Sequence, residues 1–146
     1  MIVGVDPDSD RHGVAIYRDG KLVELSMLTS IELIERREPG MMVSIEDVMA
    51  NQFVYARNRH GSTSAQNKIA MRVGRCQQAQ VELQRLLDHY SIPYLLYQPT
   101  VKNWAKDKAI FERVTGWKSS SNEDTRSAAY FGWLGMGDRR SAACRK

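Results

Sequence analysis

The sequence predicts an α/β domain: a mixed five-stranded sheet with an antiparallel opening meander and flanking helices. Three observations carry this reading. Apolar runs of strand length come first and close together, segments with a three-to-four-residue apolar period come later, and from residue 30 onward the two kinds alternate.

Residues 2–5 form the first apolar run, which ends at Asp6. Residues 13–17 and 22–28 alternate in polarity around Asp19-Gly20, a two-residue hairpin signature, so the chain opens with three strands. Ser30 is a candidate cap for a short helix over 31–37, stopped by Pro39-Gly40. A fourth strand over 41–45 also runs into an acid, Glu46. Residues 49–62 have no sustained period and read as a surface loop. Ser64 is a candidate cap for a long helix in which Ile69, Val73, Cys76, Ala79, Leu83, Leu86 and Tyr90 recur every three or four residues. Gly74 interrupts that stripe; an interior helical glycine is about 1 kcal/mol worse than alanine and suggests the close approach of another backbone. Ile92-Pro93 ends the helix and opens a fifth strand over 94–97. A helix over 106–115 ends at Gly116, a polar loop follows over 118–122, and the last helix covers 123–134. The expected domain is residues 1–137, with residues 138–146 as a basic C-terminal tail.

A chain of 146 residues with 42% apolar content suits one folded domain and excludes a disordered or collagen-like chain. Its 21 Lys and Arg against 17 Asp and Glu give a net charge of +4, compatible with an anionic partner. The distribution says more. Residues 48–81 contain no acid, while Arg57, Arg59, Lys68, Arg72 and Arg75 supply five positive charges. Lys102, Lys106 and Lys108 surround Trp104, and Arg139, Arg140, Arg145 and Lys146 follow near the end. These clusters read either as a solvated basic face or as a phosphate-binding surface. The first residues have no basic leader, no apolar stretch approaches the ~20 residues of a membrane span, and Cys76 and Cys144 fit neither a disulfide framework nor a zinc site. The expected location is cytoplasmic.

The acids at the strand ends carry the chemistry. Open α/β sheets bind ligands beyond the C-terminal ends of their strands, and Asp6 and Glu46 share a crevice if their strands are neighbours. The turn after the first strand, DPDSD, lacks the glycines that let a dinucleotide approach, and its acids repel phosphate unless a cation stands between. Two carboxylates without an arginine partner raise each other's pKa or take a hard ion such as Mg²⁺ or Mn²⁺. Glu123 and Asp124 are a third acidic source, or simply favourable charges at a helix N-terminus. Asp124 shares a helix face with Ser127.

With these landmarks in place, the chain resembles the RuvC-type Holliday junction resolvases, which have the RNase H-like fold. The resemblance rests on IVGVDPDSDRHGVAIY, VSIEDV, NKIAMRVGRCQQAQVELQRLL, YLLYQPTVKNWAKDKA and NEDTRSAAYFGWL, five segments in the family's order from Ile2 to about Leu134. It implies a homodimeric, metal-dependent endodeoxyribonuclease that nicks two opposed strands of a four-way DNA junction and leaves 5′-phosphate and 3′-hydroxyl ends. The short chain is similar to phage-encoded members, and the resemblance implies a bacterial or phage-infected cell.

The family's catalytic, metal-holding acids map onto Asp6, Glu46 and Asp124, with two Mg²⁺ or Mn²⁺ ions per active site. Its catalytic basic position maps onto Lys102, with Lys106 or Lys108 next, and its junction-stacking aromatic onto Phe53, with Tyr55 as rival. Within that reading Arg57, Arg59, Lys68, Arg72 and Arg75 face DNA, and the long helix with Gly74 forms the dimer interface. The family's closing D-x-x-D is here Asp124-Thr-Arg-Ser127, so Ser127 brings a hydroxyl to a metal-ligand position. Either Glu123 compensates, three carboxylates suffice, or the activity is lost. Two alternatives follow: a related RNase H-like nuclease acting on other branched DNA or on RNA-containing substrates, and a catalytically silent junction-binding module.

Overall fold

The computed structural model describes residues 1–50 and 63–144, with side chains through Arg139. In chain order the elements are β1 (Ile2–Asp6), β2 (His12–Arg18), β3 (Lys21–Leu28), α1 (Ser30–Glu35), β4 (Met42–Glu46), a 3₁₀ turn (Val48–Ala50), α2 (Thr63–His89), β5 (Tyr94–Tyr97), α3 (Lys108–Thr115) and α4 (Glu123–Cys144). The five strands form one sheet in the order β3-β2-β1-β4-β5. The β1–β2 and β2–β3 pairs are antiparallel, as short hairpin connections require, and the β1–β4 and β4–β5 pairs are parallel, each reached through a helix. Asp19 and Gly20 both take positive φ, 51° and 77°, which closes the first hairpin where the sequence places it.

Helices cover both faces, so the central strands are apolar on both sides. On one face Val3, Val5, Val43 and Ile45 pack with Leu33 and Ile34 of α1 and with Leu83 and Leu87 of α2. On the other, Ile2, Ala15 and Tyr17 pack with Ala128 and Ala129 of α4, Phe111 of α3, and Trp104. Two buried side chains pin α4 to the sheet: the Tyr17 hydroxyl donates to the Ala129 carbonyl at 2.6 Å, and Ser44 Oγ donates to the Phe131 carbonyl at 2.5 Å. Among the described residues no helix is long and apolar enough to cross a membrane.

Several boundaries differ from those the sequence suggests. Thr29, not Ser30, caps α1, because its hydroxyl accepts from the Glu32 amide while the Glu32 carboxylate accepts from the Thr29 amide. Helix α2 is already helical at Thr63, so Ser64 lies within its first turn. The helix is about 40 Å long at 1.5 Å per residue and outruns the short strands beneath it. Only its second half reaches the core, through Ala79, Gln80, Leu83 and Leu87; Ile69 and Tyr90, at either end of the expected stripe, are 38% and 42% exposed.

Helix α3 starts at Lys108 behind an Asp107 cap, two residues later than expected. The last helix does not stop at Leu134. Gly135, just past that expected end, packs against β4: a Cβ there would lie 2.8 Å from Ser44 Cβ. The helix continues to Cys144, so residues 138–144 are helical. Trp104 is 4% exposed among Phe111, Tyr130 and Trp133, and is not displayed among the lysines that flank it in sequence.

Candidate active site

The central position of β1 and β4 builds the site. They are adjacent and parallel, with Val5 opposite Ile45, so Asp6 and Glu46 leave the sheet side by side at its C-terminal edge. The third acid arrives on α4. Asn122 caps that helix by accepting from the Thr125 amide at 2.8 Å, and Thr125 Oγ1 accepts from the Asn122 amide at 3.0 Å. This reciprocal cap fixes the turn that carries Glu123 and Asp124. The same turn rests on Gly13, the β2 residue opposite Asp6, where a Cβ would lie 2.4 Å from the Asp124 carbonyl oxygen. Only glycine lets the helix start that close to the sheet. Asp6, Glu46, Asp124 and Ser127 accordingly line one pocket.

The electrostatics are those of an anionic cluster short of counter-charge. Burial, the Glu46 charge and hydrogen bond, and then Asp124 push the Asp6 carboxyl up to about 9. Burial also raises Glu46, reinforced by Asp124 and opposed by hydrogen bonding from Asp6. Asp6 thus keeps a proton that it shares with Glu46 at neutral pH. Burial raises Asp124 as well, with Asp8 and Glu123 adding to the shift and Arg72 opposing it. The Ser127 hydroxyl lies beside the Asp6–Glu46 pair and tempers both shifts, but it has no geometrically complete hydrogen bond and is buried, at 2% exposed.

Neighbouring elements hold the walls. Buried Gln80 of α2 accepts from the Val48 amide at 2.8 Å and donates to Asp47 at 2.9 Å, tying down the chain as it leaves Glu46. Arg126 donates twice to the Ala105 carbonyl, at 3.0 and 2.8 Å, and so fastens to α4 the turn whose Asn103 and Ala105 face the pocket. Arg72 and Cys76 close the α2 side.

Of the residues singled out from sequence, Asp6, Glu46, Glu123, Asp124, Ser127, Arg72 and Cys76 come together. Lys102 and Lys106 are exposed on the Asn103–Ala105 turn and do not line the pocket; Lys108 faces Glu112 at 3.8 Å on α3. Lys68 and Arg75 are exposed on α2, also off the pocket. Phe53, Tyr55, Arg57 and Arg59 lie outside the described residues. A Cβ at Gly74 would meet nothing within 4 Å, so none of the described residues makes the close approach that glycine suggested.

Gln80, Asp8 and His12 are among the contributors that were missed. Gln80 and Asp8 are polar residues whose roles depend on what the fold brings to them. His12 reads as a loop residue, but it begins β2 and is 2% exposed, with burial holding its pKa down.

Hard divalent cations take oxygen donors, and this pocket offers carboxylates and one hydroxyl whose crowded charge a cation would relieve. The side chains do not converge on one point: among the described residues no three His, Cys, Asp or Glu groups could hold an ion as they stand. The donors fit such an ion in kind and charge, with side-chain adjustment needed around it.

No protein-family model and no curated protein sequence matches the chain. Among solved structures it is similar to Thermus thermophilus RuvC in complex with a Holliday junction substrate, at 15% identity and a TM-score of 0.59, over 97% of this chain and 95% of that one. A second Thermus thermophilus RuvC structure matches at 14% identity and a TM-score of 0.57, over 96% of each chain. The shared architecture is the RuvC-type form of the RNase H-like fold, as the sequence resemblance implied.

Proposed function

We propose that this chain is a metal-dependent endonuclease that resolves four-way DNA junctions by paired nicks as a homodimer, leaving 5′-phosphate and 3′-hydroxyl ends. The observation that carries the proposal is the meeting of Asp6, Glu46 and Asp124 in one pocket at the C-terminal edge of the two central strands, on a fold shared with a RuvC bound to a Holliday junction.

Asp6, Glu46 and Asp124 would hold two Mg²⁺ or Mn²⁺ ions, which supply Lewis-acid polarisation of the scissile phosphate and lower the pKa of an attacking water. Asp6 and Glu46 would hold such a cation as carboxylates, so the proton they share in its absence would leave on binding. The Asn122–Thr125 cap and Gly13 keep Asp124 in place during the reaction. Arg72 meets the phosphate backbone at the pocket wall, while Lys102 and Lys106, with Lys68, Arg75, Arg57 and Arg59, extend the contact and hold the strand in line. Phe53 stacks on a base at the opened junction.

The test is nicking of a synthetic four-way junction in Mg²⁺ or Mn²⁺, beside duplex, flap and RNA–DNA hybrid controls. Junction-selective paired nicks are the expected result. Cleavage confined to hybrids or flaps would move the chain to another RNase H-like activity. Ser127 favours the second reading, a silent junction-binding module, and tight junction binding with no nick in either metal would establish it.

A further inference from the structure

We infer that Asp8 supplies, from the turn after β1, the carboxylate that Ser127 does not, and is with Asp124 a ligand to a divalent ion in this pocket. The inference rests on the metal-dependent reading above and concerns which residues of this chain complete the site. Asp8 lines the same pocket as Asp6, Asp124 and Ser127. Its Oδ1 lies 3.8 Å from the Cys76 thiol on the α2 wall. The remaining contacts of that carboxylate are local, from the Ser9 amide at 2.6 Å and the Ser9 hydroxyl at 3.3 Å. Among the described residues no lysine or arginine pairs with it.

The backbone at Asp8 is anchored. Its amide donates to His12 Nδ1 at 3.1 Å, so the neutral imidazole carries its proton on Nε2 and donates to Ser30 Oγ at 2.8 Å. A buried histidine thereby ties the turn to α1, while the next acid, Asp10, is exposed. A second observation points the same way: Ser127 Oγ is buried in the pocket and completes no hydrogen bond among the described residues, although it lies beside the Asp6–Glu46 pair. A buried hydroxyl left unpaired is costly unless something binds it. An oxygen-seeking cation held by Asp8, Asp124 and Ser127 would take a lone pair of that hydroxyl, leaving its proton for the Asp6–Glu46 pair, and would neutralise the Asp8 carboxylate.

The experiment measures Mn²⁺ binding to the free protein by the paramagnetic resonance of unbound ion, with no DNA and no turnover. Asp8→Asn keeps the acceptor for the Ser9 amide and should retain the thermal midpoint while weakening Mn²⁺ binding by about tenfold or more, since even outer partners of metal ligands are worth that much. Adding Ser127→Asp to Asp8→Asn should restore binding by returning a carboxylate one helical turn from Asp124. An Asp8→Asn protein that binds Mn²⁺ as the parent does overturns the inference, as does loss on Glu123→Gln with none on Asp8→Asn. Glu46→Gln and Asp124→Asn separate the two levels: if they abolish binding and Asp8→Asn does not, only Asp8 is misassigned. If none of these variants changes binding, the metal-dependent reading fails with it.

Discussion

Asp6 and Glu46 are two carboxylates with too little solvent around them for both to stay charged, and that has a measurable consequence before any substrate is considered. The folded protein keeps a proton on Asp6 up to about pH 9, whereas an unfolded chain loses it near 3.8. A raised folded pKa contributes stability that is full below the unfolded value and is lost as pH rises through the folded one. For a single proton the slope is at most about 1.4 kcal/mol per pH unit. In chelator, the melting temperature should therefore fall between about pH 4 and 9. Asp6→Asn should flatten that fall and melt higher than the parent at pH 8, and a flat parent profile would contradict the shared proton. The same substitution, and Glu46→Gln, should abolish nicking while junction affinity survives, because amides are near-isosteric but poor metal ligands and affinity comes from basic residues on phosphates. Parallel loss of binding in gel-shift titrations would argue for a structural role instead. Both acids were legible because each ends an apolar run. Asp8 was not: nothing in DPDSD distinguishes a solvent-facing aspartate from one turned into a pocket, and the anchor that decides it, His12, is a contact with no periodicity.

At the scale of elements, the site depends on how closely α4 approaches β2. The sequence places Asp124 at the head of the last helix, but it does not show that Gly13 is the contact beneath it. Gly13→Ala would thrust a methyl into the Asp124 backbone, for which relief requires the whole first turn to lift. A cost of about 1–3 kcal/mol in denaturant unfolding is expected, as for other overpacked contacts, with Mn²⁺ binding weakened beyond what that loss explains. Full stability and full metal binding would show that the turn adjusts freely. Helix α2 poses the opposite question, since its second half is core and its first half is exposed and basic. Removing charge at Arg72 and Arg75 should weaken junction binding and make its salt dependence shallower by about 0.9 for each phosphate that is no longer neutralised. An unchanged slope would return these arginines to a solvated face. The apolar stripe on α2 was visible in the sequence; where it stops being covered was not, because that depends on the length of the strands beneath it.

For the molecule as a whole, the five strands, their antiparallel opening and the flanking helices follow from hairpin turns and apolar periods written plainly along the chain, whereas the adjacency of β1 and β4 came only with the fold. The number of copies does not follow either, because no local signal separates a helix face that meets DNA from one that meets a second chain. A single pocket of this kind can break one strand at a time, whereas resolving a four-way junction takes two opposed breaks on a substrate of two-fold symmetry. A dimer with the same symmetry presents two such pockets in matching orientation, through an interface that repeats one patch on both subunits. The exposed first half of α2, carrying Ile69 and Met71 and an unobstructed backbone at Gly74, is the surface proposed for it. Sedimentation should give a dimer on the junction, and Met71→Glu should shift free protein toward monomer without lowering its melting temperature at low protein concentration. Mixed dimers of parent and Asp6→Asn should nick one strand and leave its opposite intact on a cruciform plasmid, giving open circles in place of linear product. Linear product from mixed dimers, or a monomer stable on bound junction, would mean that a single pocket acts twice in succession.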